Sequence, residues 1–418
     1  MSHRERIDID CLARAEGETA IRIELKKQPA IELKIFEPPR FFEGMLVGRR
    51  YDEVGDIVSR ICGICPVSHM TTAILAIEKA MGIRVSAQTV VLRAVMTISQ
   101  IVASHLVHLY MFAMPDYHGL SGVVEMLPRF KKEVGRLVKM KDVMNDLTSL
   151  IGGRALHPVT PVPGGFTSIP GEEDFHAILA RLRKIVPEAK RVVDDIAKLP
   201  LPDFHSDSEY VALDRGNEYA INEGRITSTA GLDISVDEYG RHFQESQVSY
   251  AMAKQSVIRK RNSFMVGALA RAHVKFDKFQ EETKSLAGRI GFSIPCDNPF
   301  YNNVAQALEV HDGILRCIQL VESNLFEDEE INVRVRSGEG GAVTEAPRGL
   351  LYHWYRINRN GVVEKSNIVT PTSHNFLTIE KDLKKLVKEN MRRGRNEIRL
   401  LCEQLVRAYD PCFSCSVH

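Results

Sequence analysis

The sequence predicts a mainly α protein with small peripheral β-sheets (α+β), built as one unit over residues 1–418 around a central bundle of long helices. Three observations support this. Apolar residues recur at helical spacing through long blocks, above all 86–114, where they surround nearly the whole helix and mark it as a core element. Period-two alternation is confined to short blocks near 7–36, 209–240 and 350–370. No repeat, low-complexity run or linker divides the chain, and 418 residues suffice for one large core.

Taken in order, Ala20-Ile21-Arg22-Ile23-Glu24-Leu25 and Ile31-Glu32-Leu33-Lys34-Ile35 flank Lys26-Lys27-Gln28-Pro29, which predicts a hairpin within 7–36. A helix is expected from about Ser68 to Gly82, then the core helix from Ser86 to Met114, then helices over 121–150 and 172–198. The Gly- and Pro-dense stretch 152–165 reads as an ordered loop. Residues 209–240, punctuated by Gly216, Gly224, Gly231 and Gly240, predict a small antiparallel sheet. Helical patterns follow at 244–290 and 302–325. Strand-like pieces at 331–336 and 350–370 are separated by Ser337-Gly338-Glu339-Gly340-Gly341. A last, highly charged helix is expected over 378–408, its lysines and arginines forming a solvated face.

Composition narrows function mainly by exclusion. Lys+Arg 55 against Asp+Glu 54 gives a net charge of +1, so no nucleic-acid or anionic-membrane footprint is present. Met1 to Arg6 has no apolar run behind its basic residues, so no signal peptide is expected. The longest apolar stretches are interrupted by His, Arg or Lys short of the roughly 18 residues of a membrane span. Eight cysteines, only four of them paired in sequence, fit a reducing cytoplasm better than a secreted disulfide framework.

Those four are the strongest chemical signal. Cys62-Gly63-Ile64-Cys65 lies near the start and Cys412-Phe413-Ser414-Cys415 near the end, each followed by a histidine, His69 and His418. Two such pairs supply four thiolates to one metal. Structural zinc is the default reading, but Cys62 and Cys412 are 350 positions apart, and zinc knuckles usually draw their pairs from nearby. Apolar flanks favour a buried all-thiolate site for a soft, redox-active metal. The residues alone do not name that metal. Cys11, Cys296, Cys317 and Cys402 read as small buried apolar side chains.

Arg60-x-Cys-x-x-Cys-x-x-x-His69 paired with Asp410-Pro411-Cys-x-x-Cys-x-x-His418 resembles the large subunit of the nickel–iron (NiFe) hydrogenases. Intermediate segments match in order: Arg14-Ala15-Glu16-Gly17, Phe42-Glu43-Gly44 through Gly48-Arg49, Glu345-Ala346-Pro347-Arg348-Gly349, and Thr370-Pro371-Thr372-Ser373-His374. The resemblance spans the chain and implies the large-subunit fold of that family.

It also implies roles. Cys62, Cys65, Cys412 and Cys415 would bind nickel, with Cys65 and Cys415 bridging to an iron bearing carbon monoxide and cyanide. Glu16 would relay protons, Arg348 would stand over the metals with Asp410 as its acidic partner, and Pro371 and Thr372 would lie against a cyanide. Glu43, the Ile368 carbonyl and His418 would hold a magnesium or iron ion. His418 as last residue would mark a chain processed by a maturation endopeptidase. Many relatives have aspartate where this chain has Ser104, before His105. His105 and His108 read as satisfied core histidines, and His69 as a residue orienting a thiolate or facing a partner. With no cysteines left for an iron–sulfur cluster, an iron–sulfur small subunit is required, with flavin diaphorase subunits passing electrons to NAD(P) or ferredoxin. A regulatory hydrogen sensor and the quinone-site subunit of respiratory complex I are the alternatives within the same ancestry.

Overall fold

The computed structural model describes residues 6–261 and 263–418; the N-terminal reading, but for Arg6, falls outside them. Four long helices, Ala87–Val107, Lys131–Gly152, Glu172–Ala197 and Asn302–Glu322, pack on one another as the central bundle. The first is buried on most of its surface because almost every position is apolar or small. Its start is capped by Ser86, whose hydroxyl accepts a hydrogen bond from the Thr89 amide. It runs into a π-helical turn, His108–Ala113, and then Met114–Tyr117. This composite helix, Ala87–Tyr117, is long and apolar enough to cross a membrane by length and composition, contrary to expectation. However, 72% of its apolar stretch is buried inside the fold.

Around the bundle lie small sheets, as the sequence predicts. The N-terminal hairpin, Thr19–Glu24 with Ala30–Ile35, gains a third antiparallel strand, Arg6–Ile9. Residues 209–240 supply three antiparallel strands, joined by a parallel strand at Phe264–Met265.

Three expectations fail. The stretch 244–290 is not helical from its start. It holds a hairpin, Phe243–Gln247 with Lys254–Ile258, before the helices Ala268–Lys275 and Glu281–Arg289. Residues 331–336 pair with nothing among the described residues. The strand begins instead at the glycine run read as a separator, and Gly338–Ala346, Gly349–Ile357 and Val363–Val369 form an antiparallel sheet. The glycines belong there because helix Pro66–Met81 lies directly on this strand, and a Cβ on Gly340 would come within 2.5 Å of the Ala80 amide. Finally, the charged C-terminal helix is two helices, Pro371–Glu389 and Arg395–Ala408, broken between Asn390 and Gly394. Its exposed lysines and arginines form the expected solvated face.

Candidate metal centre

Cys62 ends the loop that follows helix Val54–Ser59, and Cys65 sits at the N-cap of Pro66–Met81, with Pro66 at the first helical position. The free amides at this helix start serve the sulphur. Ile64 N and Cys65 N donate to Cys62 Sγ at 3.2 and 3.4 Å. Cys412 stands at the N-cap of the short helix Phe413–Ser416, which carries Cys415. That segment is held by others: Phe413 N donates to Glu16 O at 2.7 Å, Cys412 N to Thr372 Oγ1 at 2.8 Å, and Ser414 Oγ to Glu37 at 2.7 Å. Arg40 donates to the carbonyls of both Ile61 and Ser414, tying the two cysteine loops together.

The four sulphurs all lie within 4.8 Å of one another and are buried. Cys62 is 3.6 Å from Cys412, Cys65 is 3.5 Å from Cys415, and Cys412 is 2.7 Å from Cys415. Hydrogen bonds from the other three cysteines, then the nearby Arg348, hold Cys62 well below the usual thiol range. Burial pushes Cys412 and Cys415 up. Four crowded, buried sulphurs of which one is readily ionised are a set that a soft divalent metal completes, by replacing protons.

Arg348 occupies the turn between Gly338–Ala346 and Gly349–Ile357. Its Nε donates to the Asp410 carbonyl at 2.8 Å, and its Nη2 lies 3.1 Å from Asp410 Oδ1. Asp410, at φ 49, is therefore the partner, while Glu345 pairs with Arg271 and Lys275 instead. Arg348 Nη1 is buried without a hydrogen-bond partner among the described residues. Against the cost of burial, Asp410 and then the cysteine sulphurs hold the guanidinium protonated, and such an orphaned donor fits a group bound on the sulphurs. Glu16 is aligned with Cys412 in a parallel bridge. Burial, then the Cys62 charge, raises its proton affinity, against the opposing pull of Arg348. Thr372 follows Pro371 at the start of helix Pro371–Glu389; its oxygen accepts from Cys412 N, leaving its own proton to donate elsewhere.

A second convergence lies at the chain end. Glu43 Oε1 accepts from Ile368 N at 2.7 Å, and His418 Nε2 is 2.8 Å from Ile368 O and 4.0 Å from Glu43 Oε1. His418 Nδ1 is 2.7 Å from Cys415 O, so this site is linked directly to the cysteine centre. Carboxylate, carbonyl and imidazole in one place suit a hard or borderline cation.

Of the sequence-predicted site residues, the four cysteines, Glu16, Arg348, Asp410 and Thr372 come together in one cluster and Glu43, Ile368 and His418 in an adjoining one, while Pro371 opens the helix that carries Thr372. Other readings need correction. His69 does not face the surface: it is buried, its Nδ1 meets His353 Nε2 at 3.2 Å, and burial lowers its pKa to about 3 against the opposing Cys62 charge. Cys11 is exposed, not buried. His105 and His108 are core histidines as expected, bonded to Glu309 and to Gln306 with the Arg407 carbonyl, but His105 Nδ1 is buried without a partner among the described residues. Sequence reading missed Arg271, a fully buried guanidinium that grips Glu309 with two nitrogens and donates to the carbonyls of Ala346 and Pro347, next to Arg348. Arg40 was missed as well.

The family profile described as nickel-dependent hydrogenase matches residues 40–134 and 235–418. Sulfhydrogenase 1 subunit alpha of Pyrococcus furiosus is 33% identical, over 99% of this chain and 97% of that protein. Sulfhydrogenase 2 subunit alpha of the same organism is 36% identical, over 99% and 98%. The fold is similar to that of a solved NAD+-reducing NiFe hydrogenase in the H2-reduced state, at TM-score 0.87 and 22% identity, over 99% of both chains. The chain belongs to the nickel-dependent hydrogenase family and is an oxidoreductase acting on hydrogen.

Proposed function

We propose that this hydrogenase subunit cleaves dihydrogen heterolytically and reversibly at a nickel–iron centre held by Cys62, Cys65, Cys412 and Cys415. The observation that supports it best is the set of four buried sulphurs within 4.8 Å of one another, beside an orphaned arginine nitrogen and a proton-retaining carboxyl. When bound, the centre, with carbon monoxide and cyanide on its iron, would supply the Lewis acid and electron acceptor. The chain supplies the rest. Glu16 takes the proton, because burial and the adjoining thiolate match its affinity to that task. Arg348, steadied by Asp410, offers Nη1 as a fixed positive donor where charge separates. Pro371 and the Thr372 hydroxyl line the cyanide side. Glu43, the Ile368 carbonyl and His418 hold a magnesium or iron ion that braces the second cysteine loop.

Electrons then leave to an iron–sulfur small subunit, since among the described residues Cys62, Cys65, Cys412 and Cys415 are the cysteines that gather as a metal-binding group. Diaphorase subunits carrying flavin and iron–sulfur clusters, with NAD(P) or ferredoxin beyond them, complete a cytoplasmic complex. Elemental analysis and infrared spectroscopy of the purified complex test this. Nickel and iron, with bands from iron-bound carbon monoxide and cyanide, are expected; zinc alone with no such bands contradicts it.

A further inference from the structure

The nitrogen that Arg348 leaves unpaired requires an explanation, because an arginine beside a buried carboxylate normally closes a two-point pair with it. Asp410 has both oxygens within the fold, yet Arg348 reaches only one. Nη2 lies 3.1 Å from Oδ1 without the alignment of a hydrogen bond, and Nη1 has no partner among the described residues. The other oxygen is taken. Gln306 Nε2, from helix Asn302–Glu322, donates to Asp410 Oδ2 at 3.0 Å. Because a carboxylate only accepts, the amide must turn its nitrogen this way. The amide is itself fixed: its Oε1 lies 2.6 Å from His108 Nδ1, and His108 Nε2 lies 2.7 Å from the Arg407 carbonyl. Gln306, His108 and Asp410 are all buried. His108 opens the π-helical turn, a distortion common at functional sites.

We propose that Gln306 is a positioning residue for Arg348: by holding Asp410 Oδ2, it prevents the two-point pair and keeps Nη1 free toward the cysteine centre. This rests on the reading of Arg348 as the donor above the metals. Without Gln306, the carboxylate turns to take both Nη1 and Nη2, and the guanidinium is drawn off the centre while the cysteines and their metals stay.

The test uses the complete, metal-loaded complex with Gln306→Met, which keeps the volume and removes the amide. Gln306→Asn, which retains an amide one methylene short, serves if the first variant fails to assemble. Hydrogen-dependent dye reduction should fall about tenfold in kcat with little change in KM, while nickel content and melting temperature stay near the parent's. Combined with Arg348→Lys, the loss should be much less than the product of the two single losses, since both act through one nitrogen. Multiplicative losses, or an unchanged kcat, would overturn the proposal. An Arg348→Lys enzyme as fast as the parent would instead overturn the role given to Arg348.

Discussion

The two cysteine pairs have similar sequences and opposite structural support. Cys62 and Cys65 stand at the start of a 16-residue helix that is buried along nearly its whole length. Their geometry comes from that helix and its own free amides. Cys412 and Cys415 sit on a four-residue helix near the last residue, His418, with no long element of their own. Glu16, Glu37, Arg40, Thr372 and Ile368 hold that segment from four other parts of the chain. One half of the centre is therefore preformed by local structure, and the other is assembled by tertiary contacts. Perturbing the neighbours of the second half should cost more than perturbing the first.

Removal of a ligand sets the upper limit. Cys415→Ser should lose nickel and reduce dye turnover to background, read by elemental analysis and activity on the same sample; retained nickel with turnover would remove Cys415 from the centre. Next comes a matched glycine pair. Gly17 has φ +92, and a Cβ there would lie 2.5 Å from Ser414 N, so Gly17→Ala must displace the C-terminal loop. At Gly63 a Cβ meets nothing among the described residues within 4 Å. Gly17→Ala should destabilise by about 2 kcal/mol or more and shed nickel, while Gly63→Ala keeps both. Equal losses would erase the contrast between the halves.

The smallest effect is a pH dependence behind the second loop. Burial raises Asp382 to about 6, although Tyr409, just before Asp410, and Ser206 donate to it. Its folded-state pKa exceeds its unfolded value, so its contribution is fully present below about pH 4 and is lost as pH rises through about 6. The melting temperature of the parent should therefore fall relative to Asp382→Asn between pH 4 and 7. A constant difference would show that Asp382 does not titrate there.

The sequence allowed the bundle, the hairpin near residue 30 and the gathering of the four paired cysteines to be read, because helical periodicity and the paired cysteine motifs are local signals. What it hid was long-range. Gly338 and Gly340 look like turn residues until helix Pro66–Met81 is seen lying on them. Residues 243–258 carry helix-compatible side chains but pair as strands, with Gln255 bonded to Glu380 of a helix over a hundred residues away. Arg271 pairs with Glu309 and Glu345, 38 and 74 positions away, at separations where no spacing rule applies. Asp410 as Arg348's partner was legible; Gln306, which governs that pairing, was not.

In the proposed reaction the cysteine centre splits hydrogen and Glu16 receives the proton. Hydrogen–deuterium exchange by the metal-loaded Glu16→Gln complex tests it most directly. Exchange should fall about 10²-fold or more with nickel content unchanged. Exchange at the parent rate, at equal nickel, would contradict the account.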